Sequence, residues 1–188
     1  MGRAVTRLFE IIARGFRRPA MMRPFQITDE FYLEIGKLAV AWAQVEIPLE
    51  FITGVFFEFA GGTKRFAKRL PRALDQKIDF CRRCLAELPQ LAPFGEGITL
   101  ILDRIEELSD HRHRIIHGIV DNFTPVPAGV TIIRKLEYGN QEHRFTEHRT
   151  SLREIRELTR DIVALGAATN KAAKWLGDSV GIPPIGFD

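Results

Sequence analysis

Cysteine is scarce in this chain. There are two, Cys81 and Cys84, too few for a disulfide framework and with no second pair to complete a four-thiolate zinc site. Long hydrophobic runs are missing as well. The longest apolar stretch, Ile47–Ala60, is broken by Glu50 and Glu58 and falls short of a bilayer span. Near the start, Leu8–Phe16 contains Glu10 and Arg14, and no apolar core follows the first arginines, so no secretory signal pattern is visible. Internal repeats, low-complexity tracts, a Walker loop and G-x-G-x-x-G do not occur. These absences point away from a secreted disulfide scaffold, a solenoid and the common nucleotide-binding loops. The expectation is a soluble cytoplasmic protein in a reducing compartment, with no cofactor, no metal and no membrane partner.

What is present is enough for one domain with a real core. Of 188 residues, 45% are apolar and 27% charged, the balance of a globular chain rather than a disordered one. The net charge of +3 is unevenly spread, because residues 1–24 hold six arginines against one glutamate. That segment reads as a basic N-terminal arm. It can be a flexible arm, a short amphipathic helix, or an over-extended start before an initiator at Met21 or Met22.

Helical periodicity dominates the remainder. From a cap at Thr28 or Asp29, the residues Phe31, Ile35, Leu38, Trp42, Val45, Leu49, Ile52, Phe56 and Phe59 step alternately by 4 and 3. Pro48 inside this stripe is expected to kink or split the helix. Leu74, Ile78, Cys81, Leu85 and Leu88 mark a second helix, with Pro71 as its expected first residue and Pro89 closing it. A third runs from about Glu96 to His117 on Ile98, Ile101, Ile105, Leu108, Arg112 and Ile115, with Gly118 as its expected left-handed cap. Ile119–Phe123 is β-like. Val130–Glu137 and Glu142–His148 flank Tyr138-Gly139-Asn140-Gln141, a hairpin turn. Ser151-Leu152-Arg153-Glu154 opens the last helix with a capping-box pattern. The fold expected is all-α, a four-helix bundle with a small β-hairpin inserted at 119–149, before the last helix.

One position breaks the third stripe. Arg112 occupies a core-facing step, and burying an unpaired guanidinium there is expensive. It needs an acidic partner, for which Glu46 and Glu50 of the first helix are candidates, or an opening to solvent. His111, His113, Arg114 and His117 surround it. His113 and His117 are four apart and share a face, while Arg112 lies about 140° from His117 and must reach around the helix.

Arg112-His113-Arg114-Ile115-Ile116-His117 reads R-x4-H at the end of a helix in a largely helical chain. This resembles the HEPN superfamily (higher eukaryotes and prokaryotes nucleotide-binding), whose signature is R-x(4–6)-H with Asn, His or Asp commonly after the arginine. Gly118 and the following hairpin resemble the bacterial branch reading R-N-x-x-x-H-G, from which the chain departs by having His113 for Asn. Ala41-Trp42-Ala43-Gln44-Val45-Glu46 is similar to the first-helix segment of such proteins. The resemblance implies a HEPN-like domain over 25–177, between the arm at 1–24 and a tail at 178–188. It implies a metal-independent endoribonuclease or a nucleotide-binding relative. The setting it implies is toxin–antitoxin or phage defence, with a homodimer, RNA or a nucleotide as ligand, and a cognate antitoxin as partner. His117 would transfer protons, Arg112 would hold phosphate and His113 would orient. Basic residues Lys64, Arg65, Lys68, Arg69 and Arg114 are further candidates for nucleic-acid contact.

Competing motifs are weaker. His113 and His117 have zinc-ligand spacing, but Arg114 stands where H-E-x-x-H needs glutamate, and a third ligand from His143 or His148 requires the hairpin to fold over the helix. Cys81-Arg82-Arg83-Cys84 is a lone CxxC with a core-facing member. Gly177-Asp178-Ser179-Val180-Gly181 matches G-x-S-x-G without the strand a nucleophile elbow needs, and reads as a turn in the tail. The rival function is a non-catalytic helical interaction module.

Overall fold

The computed structural model describes residues 29–121, 124, 126, 127, 129–139 and 142–182. The basic arm at 1–24 lies outside them, as do the last residues of the expected tail.

Helix α1 spans Asp29–Glu58 and buries Phe31, Leu38, Trp42, Val45, Leu49, Ile52 and Phe56, most of the expected stripe. Phe59 is a departure: the helix ends one residue earlier and this ring is 60% exposed. Pro48 does not split the helix. Its missing N–H leaves the Gln44 carbonyl without a helical donor, but Val45, Pro48, Leu49 and Ile52 are all buried, and their packing holds the segment helical. Each such fully buried side chain contributes about 1.5–3 kcal/mol. By length and hydropathy alone α1 could cross a membrane, and half of that window is buried against the rest of the protein.

Gly61, with φ 86°, turns the chain into the single-turn helix α2, Gly62–Arg65. Helix α3 covers Leu74–Glu87. It starts three residues after the expected Pro71, because Ala73 in extended conformation forms the boundary. A 3₁₀ turn, Pro89–Phe94, leads into α4, Gly95–His117, which buries Ile98, Leu102, Ile105, Leu108 and Ile115.

Three antiparallel strands follow, β1 (Ile119–Asp121), β2 (Val130–Gly139) and β3 (Glu142–Ser151), in the order β1-β2-β3. The expected hairpin is β2–β3, and β1 adds a third strand by pairing Ile119 with Arg134 and Asp121 with Ile132. Gly118 does not adopt the expected left-handed cap; it is extended, with φ −84° and ψ 156°. Its lack of a side chain serves close approach instead. A Cβ there would lie 2.0 Å from Ile133 Cγ2 and 2.6 Å from the Arg114 carbonyl oxygen.

Helix α5, Leu152–Val180, opens with the Ser151–Glu154 capping box and ends at Gly181, φ 70°. It runs past the expected tail boundary at 178. Gly177–Gly181 is therefore a helix terminus, and Ser179 Oγ donates to the Trp175 carbonyl at 2.8 Å. α1 packs along α5 over a longer contact than any other pair of helices makes, α4 lies against α5, and α3 joins α1 to α4. Of the sheet, β2 contacts α4 and β3 contacts α5.

Candidate functional site at the end of helix α4

In the last two turns of α4, Leu108 and Ile115 face the core. At 100° per residue the remaining positions carry Arg112, His113, His117, Arg114 and His111 in sequence around the outer side. Arg112 stands on the edge nearest α1. Its guanidinium carbon lies 5.7 Å from the centroid of the Trp42 ring, within cation–π range. Trp42 is held in turn: its indole N–H donates to Glu46 Oε1 at 2.8 Å.

The arginine reaches around the helix to its histidine. Arg112 Nη1 donates to His117 Nε2 at 3.3 Å. A guanidinium can only donate, so Nε2 is the acceptor and the ring of this arrangement is neutral, with its proton on Nδ1. The His113 and His117 rings are 4.5 Å apart between centroids at an interplanar angle of 47°. Partial burial holds the His113 pKa below its ordinary value, helped by the electrostatic effects of Lys135, His117 and Arg112 and opposed by Asp110.

The expected acidic partners do not reach Arg112. Glu46 is turned to the indole of Trp42, and Glu50 pairs with Lys77 of α3. Glu46 therefore supports the arginine through the ring beneath it, and Glu50 does not touch the motif. Elsewhere on the body, acids answer cations. Arg82 holds Asp103 and Glu106 at 2.7 and 2.8 Å, Arg104 holds Asp161 at 2.9 Å, and Arg156 holds Glu34 at 3.2 Å as well as Glu30. Among the described residues, no carboxylate forms an ion pair with Arg112, Arg114 or Lys135. The Nε atoms of Arg112 and Arg114 are buried without a hydrogen-bond partner, so polar contacts fall to their Nη atoms. Cations without an ion-pair partner at a partly exposed surface suit an anionic ligand.

The other basic candidates are separate. Arg65 lies beside Glu87, its Nε 3.7 Å from that carboxylate, and its guanidinium sits 5.7 Å from the Phe66 ring centre. Glu87 precedes the start of α4, whose 23 residues place Arg112–His117 about 26–33 Å further along. Lys68 and Arg69 are exposed in the connection to α3. The side chain of Lys64 lies outside what is described. No hydrogen bond or ion pair joins Arg65, Lys68 or Arg69 to Arg112 or His117 among the described residues.

Two residues that sequence reasoning missed as phosphate-site candidates flank the cluster. Lys135 on β2 acts electrostatically on His113, and Arg114 acts in the same way on His148 of β3. His148 pairs in register with Ile133, the residue packed on Gly118, so the sheet does fold over the helix end. The signal was the alternation of the hairpin strands, readable once the turn fixes their register. Burial, then Arg114, lowers the His148 pKa, against an opposing effect of Glu154. Among the described residues no three His, Cys, Asp or Glu side chains gather as a metal site, and the His143 side chain lies outside them.

Cys81 and Cys84 are buried free thiols of the α3 core. The chain matches no family model, no curated protein and no solved structure.

Proposed function

We propose that this chain is a HEPN-like, metal-independent endoribonuclease of the cytoplasm, its four long helices forming the bundle that the R-x4-H resemblance implies. The observation that carries the reading is the 3.3 Å contact between Arg112 Nη1 and His117 Nε2, beside cations without an ion-pair partner among the described residues. Arg112 binds the phosphate of the scissile step and stabilises the charge that develops on it. When its N–H groups turn to that phosphate, His117 Nε2 is released. Nε2 accepts the proton of the ribose 2′-OH as the oxygen attacks phosphorus. The bond from phosphorus to the 5′ oxygen breaks, leaving a 2′,3′-cyclic phosphate on one product and a 5′-hydroxyl on the other. Positioned proton transfer of this kind is worth about 10²–10⁴-fold in rate.

The leaving oxygen needs a proton, and His113 is poorly suited to give it, because its surroundings favour the neutral ring. His113 orients the neighbouring ring instead. A second copy of the chain, bringing its own His117, completes the acid–base pair. Leu33, Val40 and Ile47, spaced by seven residues on α1 and 57%, 67% and 51% exposed, offer an apolar line for self-association on the side of α1 turned away from Trp42 and the motif. The same line favours the second reading, a non-catalytic interaction module that binds a protein partner, such as an antitoxin, without turnover.

The test is incubation of total RNA in EDTA with wild type, Arg112→Ala and His117→Ala. Cleavage by wild type alone, with products ending in 2′,3′-cyclic phosphate, supports the ribonuclease. A need for added metal, or wild-type cleavage by His117→Ala, removes it and leaves the interaction module.

A further inference from the structure

The cation cluster does not stop at the motif. β2 and β3 lay one face over the last turn of α4, fixed there by Ile133 against Gly118. Moving outward on that face, the opposed pairs are Thr131–Thr150, both buried, then Ile133–His148, then Lys135–Thr146. Lys135 and His148 are thus diagonal neighbours on the face that covers the helix end. α4 meets them with His113, Arg114 and His111. Two acids act on this group, Asp110 on His113 and Glu154 on His148, and Glu154 is engaged by the backbone N–H of Ser151 at 2.7 Å and serves the α5 cap. Phosphate bound at Arg112 therefore sits at one edge of a positive surface. The other edge is the sheet, on the far side of the His113–His117 pair.

We infer that Lys135, with Arg114 and His148, forms a second phosphate subsite, so that the ligand of this site is a single strand of at least two phosphates lying across the end of α4 from α1 to the sheet. This rests on the ribonuclease reading and narrows it: the substrate is an oligonucleotide rather than a mononucleotide. A lysine is suited to the flanking position, since it supplies a mobile point charge without fixing geometry, whereas the planar fork of Arg112 grips the reacting phosphate.

The experiment measures binding of a fluorescein-labelled twelve-nucleotide 2′-O-methyl RNA, which lacks the attacking hydroxyl, by anisotropy across a salt series. Proteins are wild type, Lys135→Gln and His148→Asn, with adenosine monophosphate as competitor and circular dichroism as the check on folding. Each phosphate contact to a single strand contributes about 0.7 to the slope of log affinity against log salt. Lys135→Gln is expected to weaken oligonucleotide binding several-fold and flatten the slope by about 0.7, with the monophosphate competing poorly against wild type. If Lys135→Gln and His148→Asn both keep the wild-type affinity and slope while His117→Ala loses cleavage, the second subsite is overturned and the ribonuclease stands. If the folded wild type neither binds the oligonucleotide nor cleaves RNA, both fall.

Discussion

The indole N–H of Trp42 is bonded to Glu46 at 2.8 Å, so the acid one turn along α1 faces the ring and not the guanidinium that lies over it within cation–π range. A counter-ion to Arg112 would compete with phosphate; an anchor for Trp42 does not. Glu46→Gln keeps an oxygen to accept the indole hydrogen. It is expected to leave cleavage and oligonucleotide affinity within about twofold of wild type, the scale of a surface change below roughly 0.5 kcal/mol. A large gain in affinity would mean that Glu46 had been neutralising Arg112.

Arg112→Lys should fail in the cleavage assay nearly as completely as Arg112→Ala. A point charge cannot replace a fork that spans two phosphate oxygens and still lies over an indole. His113→Asn should retain activity, because an amide keeps a donor and an acceptor beside His117. Comparing kcat for the three variants, with circular dichroism to show that each is folded, checks both expectations.

Acid should destabilise the protein before any carboxylate is protonated. The pKa values of His113 and His148 are lowered in the folded state, chiefly by burial. The unfolded chain then binds more protons than the folded one between each depressed value and the ordinary 6.5. Their contribution is intact above pH 6.5 and is lost as pH falls through the folded values. Tm should therefore drop between pH 7 and 5, and His148→Asn should flatten the drop. Glu34 and Glu157, whose pKa values are lowered by Lys37 and Arg153 respectively, act only below the carboxylate range and cannot mimic it.

Gly118→Ala should disturb the joint between helix and sheet. The added carbon would meet Ile133 Cγ2 at 2.0 Å and the backbone oxygen of Arg114 at 2.6 Å, and the second contact cannot be relieved by a rotamer change. Overpacking of this kind costs about 1–3 kcal/mol, or roughly 2–12 °C in Tm for a chain of this size. Thermal melting measures the loss. Cleavage should fall further than the remaining folded fraction accounts for, because His117 is the adjacent residue.

Val40→Asp with Ile47→Asp should give a monomer without lowering Tm. Both side chains are exposed, and burying their charges at an interface would be unfavourable. Sedimentation at tens of micromolar (an order-of-magnitude choice for a weak pair) should show dimer for wild type and monomer for the variant. If the wild type is also monomeric, the second acid cannot come from another copy.

Much of the fold was legible because it rests on local periodicity. The stripes of α1 and α4 and the Ser151 capping box are written within a few turns of chain. What escaped depends on contacts between distant segments. Phe59 fits the stripe of α1 but falls past its end. Gly118 reads as a left-handed cap, yet its smallness is required by Ile133, fifteen residues on. Arg112 and His117 could be paired by spacing, but whether Glu46 would seal the arginine turned on an indole that periodicity marks only as core. Lys135 and His148 become neighbours of the motif only when the strands are in register and the sheet is seated.

Burial pushes the Cys81 and Cys84 thiols up to about 12 and about 11, where α3 packs into the core. At neutral pH the reactive thiolate is then a population of about one part in ten thousand or less. Capture by an alkylating reagent must wait until the helices part, so its rate counts openings of the core. The protein thereby carries an intrinsic clock for its own breathing, readable on the unmodified chain with no label, ligand or substitution.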